Sequence, residues 1–188
     1  MTRLVLMGPP GAGKGTQAES LAERLGAAHI STGDIFRANV KDQTELGRTA
    51  QRYMDAGEYV PDEVTNAMVK DRIARDDAES FILDGYPRTV AQVDTLDEML
   101  ADLGRPLDVV IALVVDPEEL IGRLLKRAET SGRADDTEEV IRHRQEVYSA
   151  ETSPLLEIYG ARGLLREVDG MGDVDEIAGR IDKALEEV

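Results

Sequence analysis

The chain has 188 residues and a formal net charge of -16, with 38 acidic against 22 basic side chains. It is long enough for one domain with a sizeable core and too acidic to neutralise a nucleic-acid backbone. It has no cysteine, which excludes disulfides and cysteine-ligated zinc.

The basic residues are 17 Arg and 5 Lys. An arginine-rich cation set suits a small phosphorylated ligand in a locally basic cleft, because the planar guanidinium grips phosphate oxygens in pairs. No apolar run has the length that spans a bilayer, and the N-terminus reads as a strand rather than a signal peptide. The expectation is a cytoplasmic protein with no membrane and no nucleic-acid partner.

In chain order, the first strand is predicted over Arg3–Met7, whose apolar run Leu4-Val5-Leu6-Met7 leads directly into Gly8-Pro9-Pro10-Gly11-Ala12-Gly13-Lys14-Gly15-Thr16. A buried strand, a glycine-rich loop with one lysine and a helix over 15–25 make a phosphate cradle. Glycines let successive backbone N–H groups face one anion, the helix start adds the positive end of its dipole, and the lysine adds a full charge. The spacing fits GxxxxGK, with Gly15 in place of the usual Ser/Thr and the hydroxyl one place later, at Thr16.

Further strands are predicted over Ala28–Ser31, Phe81–Asp84, 109–115 and 164–168. Between them run helices over Val90–Leu103, 117–127, 137–159 with a kink at Pro154, and 174–186. Short apolar strands alternating with helices predict an α/β fold, a parallel sheet covered on both faces. Between Ser31 and Pro61 the strands stop, and helical pieces with Gly33, Gly47 and Gly57 predict a small helical insertion at the sheet's ligand-binding edge. Residues 128–134 read as a short polar loop joining two helices, placed where it could close over a ligand.

Asp84 ends an apolar strand and precedes Gly85-Tyr86-Pro87-Arg88. An acidic strand tip beside a phosphate loop suits hydrated Mg²⁺, held through its water shell, because the ion must bridge phosphates and keep several waters. The tetrapeptide reads as a turn aiming Arg88 at a second phosphate group. Arg123 and Arg127 are four apart and share one helix face, with Arg133, Arg142 and Arg144 close behind. Transfer between two phosphorylated molecules gathers negative charge that fixed cations must hold; Arg142 points elsewhere on its helix and is left out. The two histidines, His29 and His143, are not at metal-ligand spacing and are expected to be structural or exposed. No Ser/His/Asp or Cys/His arrangement offers a covalent nucleophile.

Four motifs, GPPGAGKGTQ, Ser31-Thr32-Gly33-Asp34 with Arg37, Asp84-Gly85-Tyr86-Pro87-Arg88 with Gln92, and Gly132-Arg133-Ala134-Asp135-Asp136 with Arg144, together resemble the adenylate kinases over nearly the whole chain. The resemblance implies a P-loop NTPase-type five-stranded parallel sheet, with a core over 1–30, 61–127 and 135–188. It also implies a nucleoside-monophosphate-binding segment over 31–60 and a short lid over 128–134. The implied reaction is ATP + AMP ⇌ 2 ADP with Mg²⁺ at Asp84 and without zinc, run by a monomer in adenine-nucleotide homeostasis.

By the same resemblance, Gly11, Ala12, Gly13, Lys14, Gly15 and Thr16 cradle ATP, joined by Arg123, Arg127 and the backbone of Gly172. Thr32, Arg37, the backbone of Glu58, Tyr59 and Val60, the turn Gly85, Tyr86, Pro87 and Arg88, and Gln92 hold AMP. Lys14, Arg88, Arg127, Arg133 and Arg144 act on the transferring phosphoryl, with Arg133 and Arg144 also reaching AMP. The peptide before Pro87 is expected to be cis. A pyrimidine monophosphate kinase shares the short lid, but relatives of that kind carry Ala and Asn where Thr32 and Gln92 stand. A silent nucleotide sensor would have lost Lys14 or a transfer arginine, and a switch GTPase would need an Asn-Lys-x-Asp motif that the chain lacks.

Overall fold

The computed structural model describes residues 1–131 and 137–188. Strands β1 (Arg3–Met7), β2 (Ala28–Ser31), β3 (Phe81–Asp84), β4 (Val109–Val114) and β5 (Leu165–Asp169) form one sheet in the order β2-β3-β1-β4-β5. Every pairing is parallel. The helices are α1 (Lys14–Leu25), α2 (Thr32–Lys41), α3 (Glu45–Asp55), α4 (Asp62–Ile73), α5 (Val90–Leu103), α6 (Pro117–Ser131), α7 (Glu138–Val147), α8 (Pro154–Ala161) and α9 (Val174–Leu185).

The strands are apolar at successive positions because both faces of the sheet are covered. On β1, Leu4 and Leu6 join Ala18 and Leu21 of α1 and Ile177 and Ile181 of α9. Val5 and Met7, pointing the other way, meet Val69 and Ile73 of α4, Val93 and Leu96 of α5 and Leu155 of α8. Each fully buried Leu, Val or Ile in these layers contributes about 1.5–3 kcal/mol. A third, small core of Phe36, Ala50 and Val60 lies between α2 and α3.

β1 is central, with Leu6 opposite Asp84 of β3 and Met7 opposite Ala112 of β4. The chain passes from β1 to one side of the sheet and later crosses to the other, so a crevice opens at the carboxyl end of β1, where open α/β sheets bind ligands.

The structure departs from the sequence expectations at three helices. α4 (Asp62–Ile73) fills a stretch to which the sequence pattern assigns no element. α6 continues through Ser131, so residues 128–131, expected as loop, are helical; no Gly or Pro stands between Arg127 and Gly132. Residues 132–134 of the expected lid lie outside the described residues. The single helix expected over 137–159 is two, α7 and α8, separated by a π-helical stretch at Tyr148–Thr152. There Ser153 N donates to the Tyr148 carbonyl at 3.0 Å. Pro154 has no N–H to extend an α-helical ladder, so the turn widens before it and Pro154 opens α8, where a missing donor costs little.

Candidate active site

The loop after β1 is shaped by its glycines and held down by its alanine. Gly13 is the N-cap of α1 with φ +87°, a left-handed conformation that a side chain would oppose. Ala12 is buried with the β1 layer, and its N–H donates to the Pro9 carbonyl at 3.1 Å. Ala12 therefore pins the loop to the sheet, while Gly15 and Thr16 are exposed in the first turn of α1. Lys14 is half-buried, and its Nζ donates to the Pro9 carbonyl at 3.4 Å. Burial lowers the Lys14 ammonium to about 8; Arg88, Arg144 and Arg127 push the same way, and Asp84 opposes them.

Asp84, at the tip of β3, is buried, and its Oδ2 lies 3.3 Å from His29 Nε2 on the neighbouring strand. Burial pushes the Asp84 carboxyl up, but the His29 hydrogen bond and the charges of Lys14, His29 and Arg88 outweigh it. The group therefore sits below its ordinary value. The same hydrogen bond raises His29. The carboxylate faces the phosphate loop, since a Cβ on Gly15 would stand 4.0 Å from Asp84 Oδ2.

At Gly85 φ is +84°, and a Cβ there would come within 2.8 Å of Arg88 Nη2 and 3.0 Å of Thr32 Oγ1. The turn needs glycine for its conformation and for space. Thr32 Oγ1 donates to the Gly85 carbonyl at 3.1 Å, and the Tyr86–Pro87 peptide is cis, as expected.

Arg88 is fixed at three points. Its backbone N–H donates to Gln92 Oε1 at 2.7 Å. Its carbonyl accepts from Thr152 Oγ1 at 2.8 Å. Its guanidinium lies over the Tyr59 ring, 5.2 Å from the centroid. Thr152, in the π-helical stretch, also pairs with the Tyr59 hydroxyl at 2.5 Å.

Two pockets adjoin here. The first is lined by Thr32, Phe36, Glu58, Tyr59, Val60, Gly85, Tyr86, Pro87 and Gln92. The second is lined by Gly11, Gly13, Gly15, Thr16, Asp84, Arg123 and Arg127. Lys14, Arg37, Arg88 and Arg144 line both, so the two concavities meet at four cations.

Nearly all the residues singled out from sequence thus stand around one divided cleft. Gly172 lies apart, in the loop between β5 and α9 at φ +113° beside Glu176 and Arg180; that loop is tied to α6 by Arg123 Nη2, which donates to the Gly170 carbonyl at 3.4 Å. Arg133 lies outside the described residues. His29, expected as structural or exposed, is half-buried against Asp84, whereas His143 is exposed and meets Glu58 at 2.6 Å. The supporting roles of His29, Thr152 and Asp62, whose Oδ1 accepts from Gln92 Nε2 at 2.8 Å, escape a sequence reading: their partners are 55, 64 and 30 residues away, and none falls in a motif. Among the described residues, no three His, Cys, Asp or Glu side chains gather as a direct metal cage.

Residues 6–164 match the family model described as adenylate kinase. The chain is 62% identical over 185 residues to an adenylate kinase of Nocardioides sp., covering 98% of this chain and 97% of that protein. It is 59% identical over 187 residues to one of Kocuria rhizophila, covering 99% and 100%, and 60% identical over 184 residues to one of Thermobifida fusca, covering 97% of each.

Proposed function

Because the chain belongs to the adenylate kinase family, we propose that it transfers the terminal phosphoryl group of ATP reversibly to AMP, giving two ADP, by direct in-line displacement. The observation that carries this reading is the meeting of two pockets on Lys14, Arg37, Arg88 and Arg144. Phosphoryl transfer needs little covalent chemistry from the protein; it needs both partners held in line and fixed charge where negative charge gathers.

The pocket built on the phosphate loop takes ATP. Gly11, Gly13, Gly15 and Thr16 present backbone and hydroxyl groups, Ala12 anchors the cradle, and Arg123 and Arg127 close its outer wall. Arg123 and the loop carrying Gly172 border the adenine of ATP, a placement supported by the Arg123–Gly170 contact. The other pocket takes AMP: Arg37 and Arg88 meet its phosphate, Thr32, Gly85 and the backbone of 58–60 line its walls, Tyr86 and Pro87 shape the turn beneath, and Gln92 meets its base. Lys14, Arg88, Arg127 and Arg144 bear on the transferring group, joined by Arg133 from the lid. On this reading residues 31–60 form the monophosphate-binding unit and 128–134 the lid on a core of 1–30, 61–127 and 135–188.

Asp84 fits hydrated Mg²⁺. Its hard oxygen donors are held ionised and face the phosphate loop, and a carboxylate that grips the ion's waters suits Mg²⁺ bound mainly by nucleotide. When bound, the ion supplies charge neutralisation on the phosphates. No zinc is required. The enzyme acts as a cytoplasmic monomer; no helix among the described residues is long and apolar enough to cross a membrane.

The test is a coupled assay of ADP formation from ATP with AMP, UMP, CMP and GMP in turn. AMP is the preferred acceptor, by more than about tenfold, because Gln92 and Thr32 lose hydrogen-bond partners when a pyrimidine enters. Equal rates with UMP and AMP overturn the acceptor assignment.

A further inference from the structure

Gln92 is 2% exposed and lines the acceptor pocket, and both ends of its amide are anchored. Oε1 accepts from the Arg88 backbone N–H at 2.7 Å, and Nε2 donates to Asp62 Oδ1 at 2.8 Å. A backbone N–H can only donate and a carboxylate can only accept, so these two partners admit one of the two amide orientations and exclude the flipped one. Thr89 adds support: its hydroxyl donates to Asp62 Oδ1 at 3.3 Å and accepts from the Gln92 backbone N–H at 3.2 Å. Asp62 itself lines a different concavity, with His143 and Glu146, and does not line the acceptor pocket.

We infer that Asp62 is a positioning residue that sets the purine preference of the acceptor site, by locking the Gln92 amide in one orientation from behind. The inference rests on the acceptor reading above. After its two anchors are satisfied, the amide keeps one N–H and one lone pair for a base. Adenine presents an amino donor beside a ring-nitrogen acceptor, whereas guanine presents a carbonyl acceptor beside an N–H donor, the reverse order. An amide free to turn serves either base. One locked against turning meets guanine, in the pose adenine takes, with donor against donor and acceptor against acceptor. The Arg88 N–H alone favours the same orientation, so removing Asp62 weakens the lock and leaves half of it in place.

A purely structural role is the competing account, because Asp62 is the first residue of α4 and a carboxylate there suits the helix dipole. That role lowers the melting temperature without selecting among nucleotides.

The experiment measures KM for AMP and for ATP, the ratio of kcat/KM for AMP to that for GMP, and the melting temperature, in wild type, Asp62→Ala and Asp62→Asn. Asp62→Ala raises KM for AMP about tenfold, leaves KM for ATP within about twofold and lowers the AMP-to-GMP ratio several-fold. Asp62→Asn, whose amide oxygen can accept from Gln92 Nε2 but whose amide can also turn and donate, recovers KM for AMP and restores the ratio only in part, between Asp62→Ala and wild type. If Asp62→Ala does not fold, Asp62→Ser, compatible with a helix start but too short to reach Gln92, carries the same expectation. An unchanged AMP-to-GMP ratio in the Ala or Ser variant, or equal rises in KM for AMP and ATP, overturns the inference with the acceptor reading intact. A wild-type protein that does not phosphorylate AMP overturns the acceptor reading itself.

Discussion

The guanidinium carbon of Arg88 lies 5.2 Å from the centre of the Tyr59 ring, which joins a cation of the turn after β3 to the chain segment leaving α3. The same tyrosine shares a hydrogen bond with Thr152, which in turn holds the Arg88 carbonyl. Tyr59 and Thr152 therefore grip Arg88 from above and behind, and the π-helical stretch is what brings the Thr152 hydroxyl inward. Such local widenings of a helix recur at functional sites.

Replacing Tyr59 by Leu removes the ring and lowers kcat/KM for AMP by about twofold to fivefold, the worth of a partly exposed cation–π contact, while KM for ATP is unchanged. Tyr59→Phe keeps the ring and stays closer to wild type. Steady-state kinetics with each nucleotide varied in turn decide it: equal losses in the Leu and Phe variants show that the hydroxyl, not the ring, is what matters.

Lys14→Ala lowers kcat by about a hundredfold or more, on the scale of losing one preorganised donor to a developing charge, and changes KM for ATP far less. Lys14 stands where the two pockets meet, so its charge counts most when the phosphoryl is between partners. A variant that keeps its kcat and changes only KM removes Lys14 from the transfer step.

How much of this was legible in the sequence follows from how local each feature is. The strand bounds of β1, β2 and β3, the glycine loop and the turn after Asp84 are written within a few neighbouring residues, and each appears where the pattern puts it. What was not legible depends on neighbours brought together by the sheet or by a helix irregularity. His29 meets Asp84 only because β2 pairs with β3. Thr152 turns inward only because a π turn precedes Pro154, and helical periodicity carries no sign of that extra residue. Asp62 lies in a stretch to which the sequence pattern assigns no element, and its role shows only once the Gln92 amide is seen against it.

Activity requires Mg²⁺ and is indifferent to a zinc-selective chelator. The sequence has no cysteine, and Asp84 presents the hard oxygens that Mg²⁺ prefers. Chelator titration at fixed free Mg²⁺, followed by both rate and melting temperature, tests this; a loss of either contradicts it.

The last expectation concerns pH. Burial, with Arg88, Arg144 and Arg127, brings the Lys14 ammonium down to about 8. The direction decides the sign: a lowered pKa means that the cation is present below about 8 and is lost as pH rises through it, whereas an unperturbed lysine keeps its charge to about 10. Since kcat/KM reports groups on the enzyme form that meets the varied substrate, its value for ATP at AMP kept well below its KM is level near neutrality. It then falls about tenfold per pH unit on an alkaline limb beginning near 8. The limb in kcat lies higher, because bound polyphosphate favours the charged ammonium. Lys14→Arg, measured on its residual activity, lacks the limb because a guanidinium stays charged across this range. A wild-type profile flat to about pH 10, or a limb unchanged in Lys14→Arg, shows that the charge of Lys14 does not govern capture of ATP.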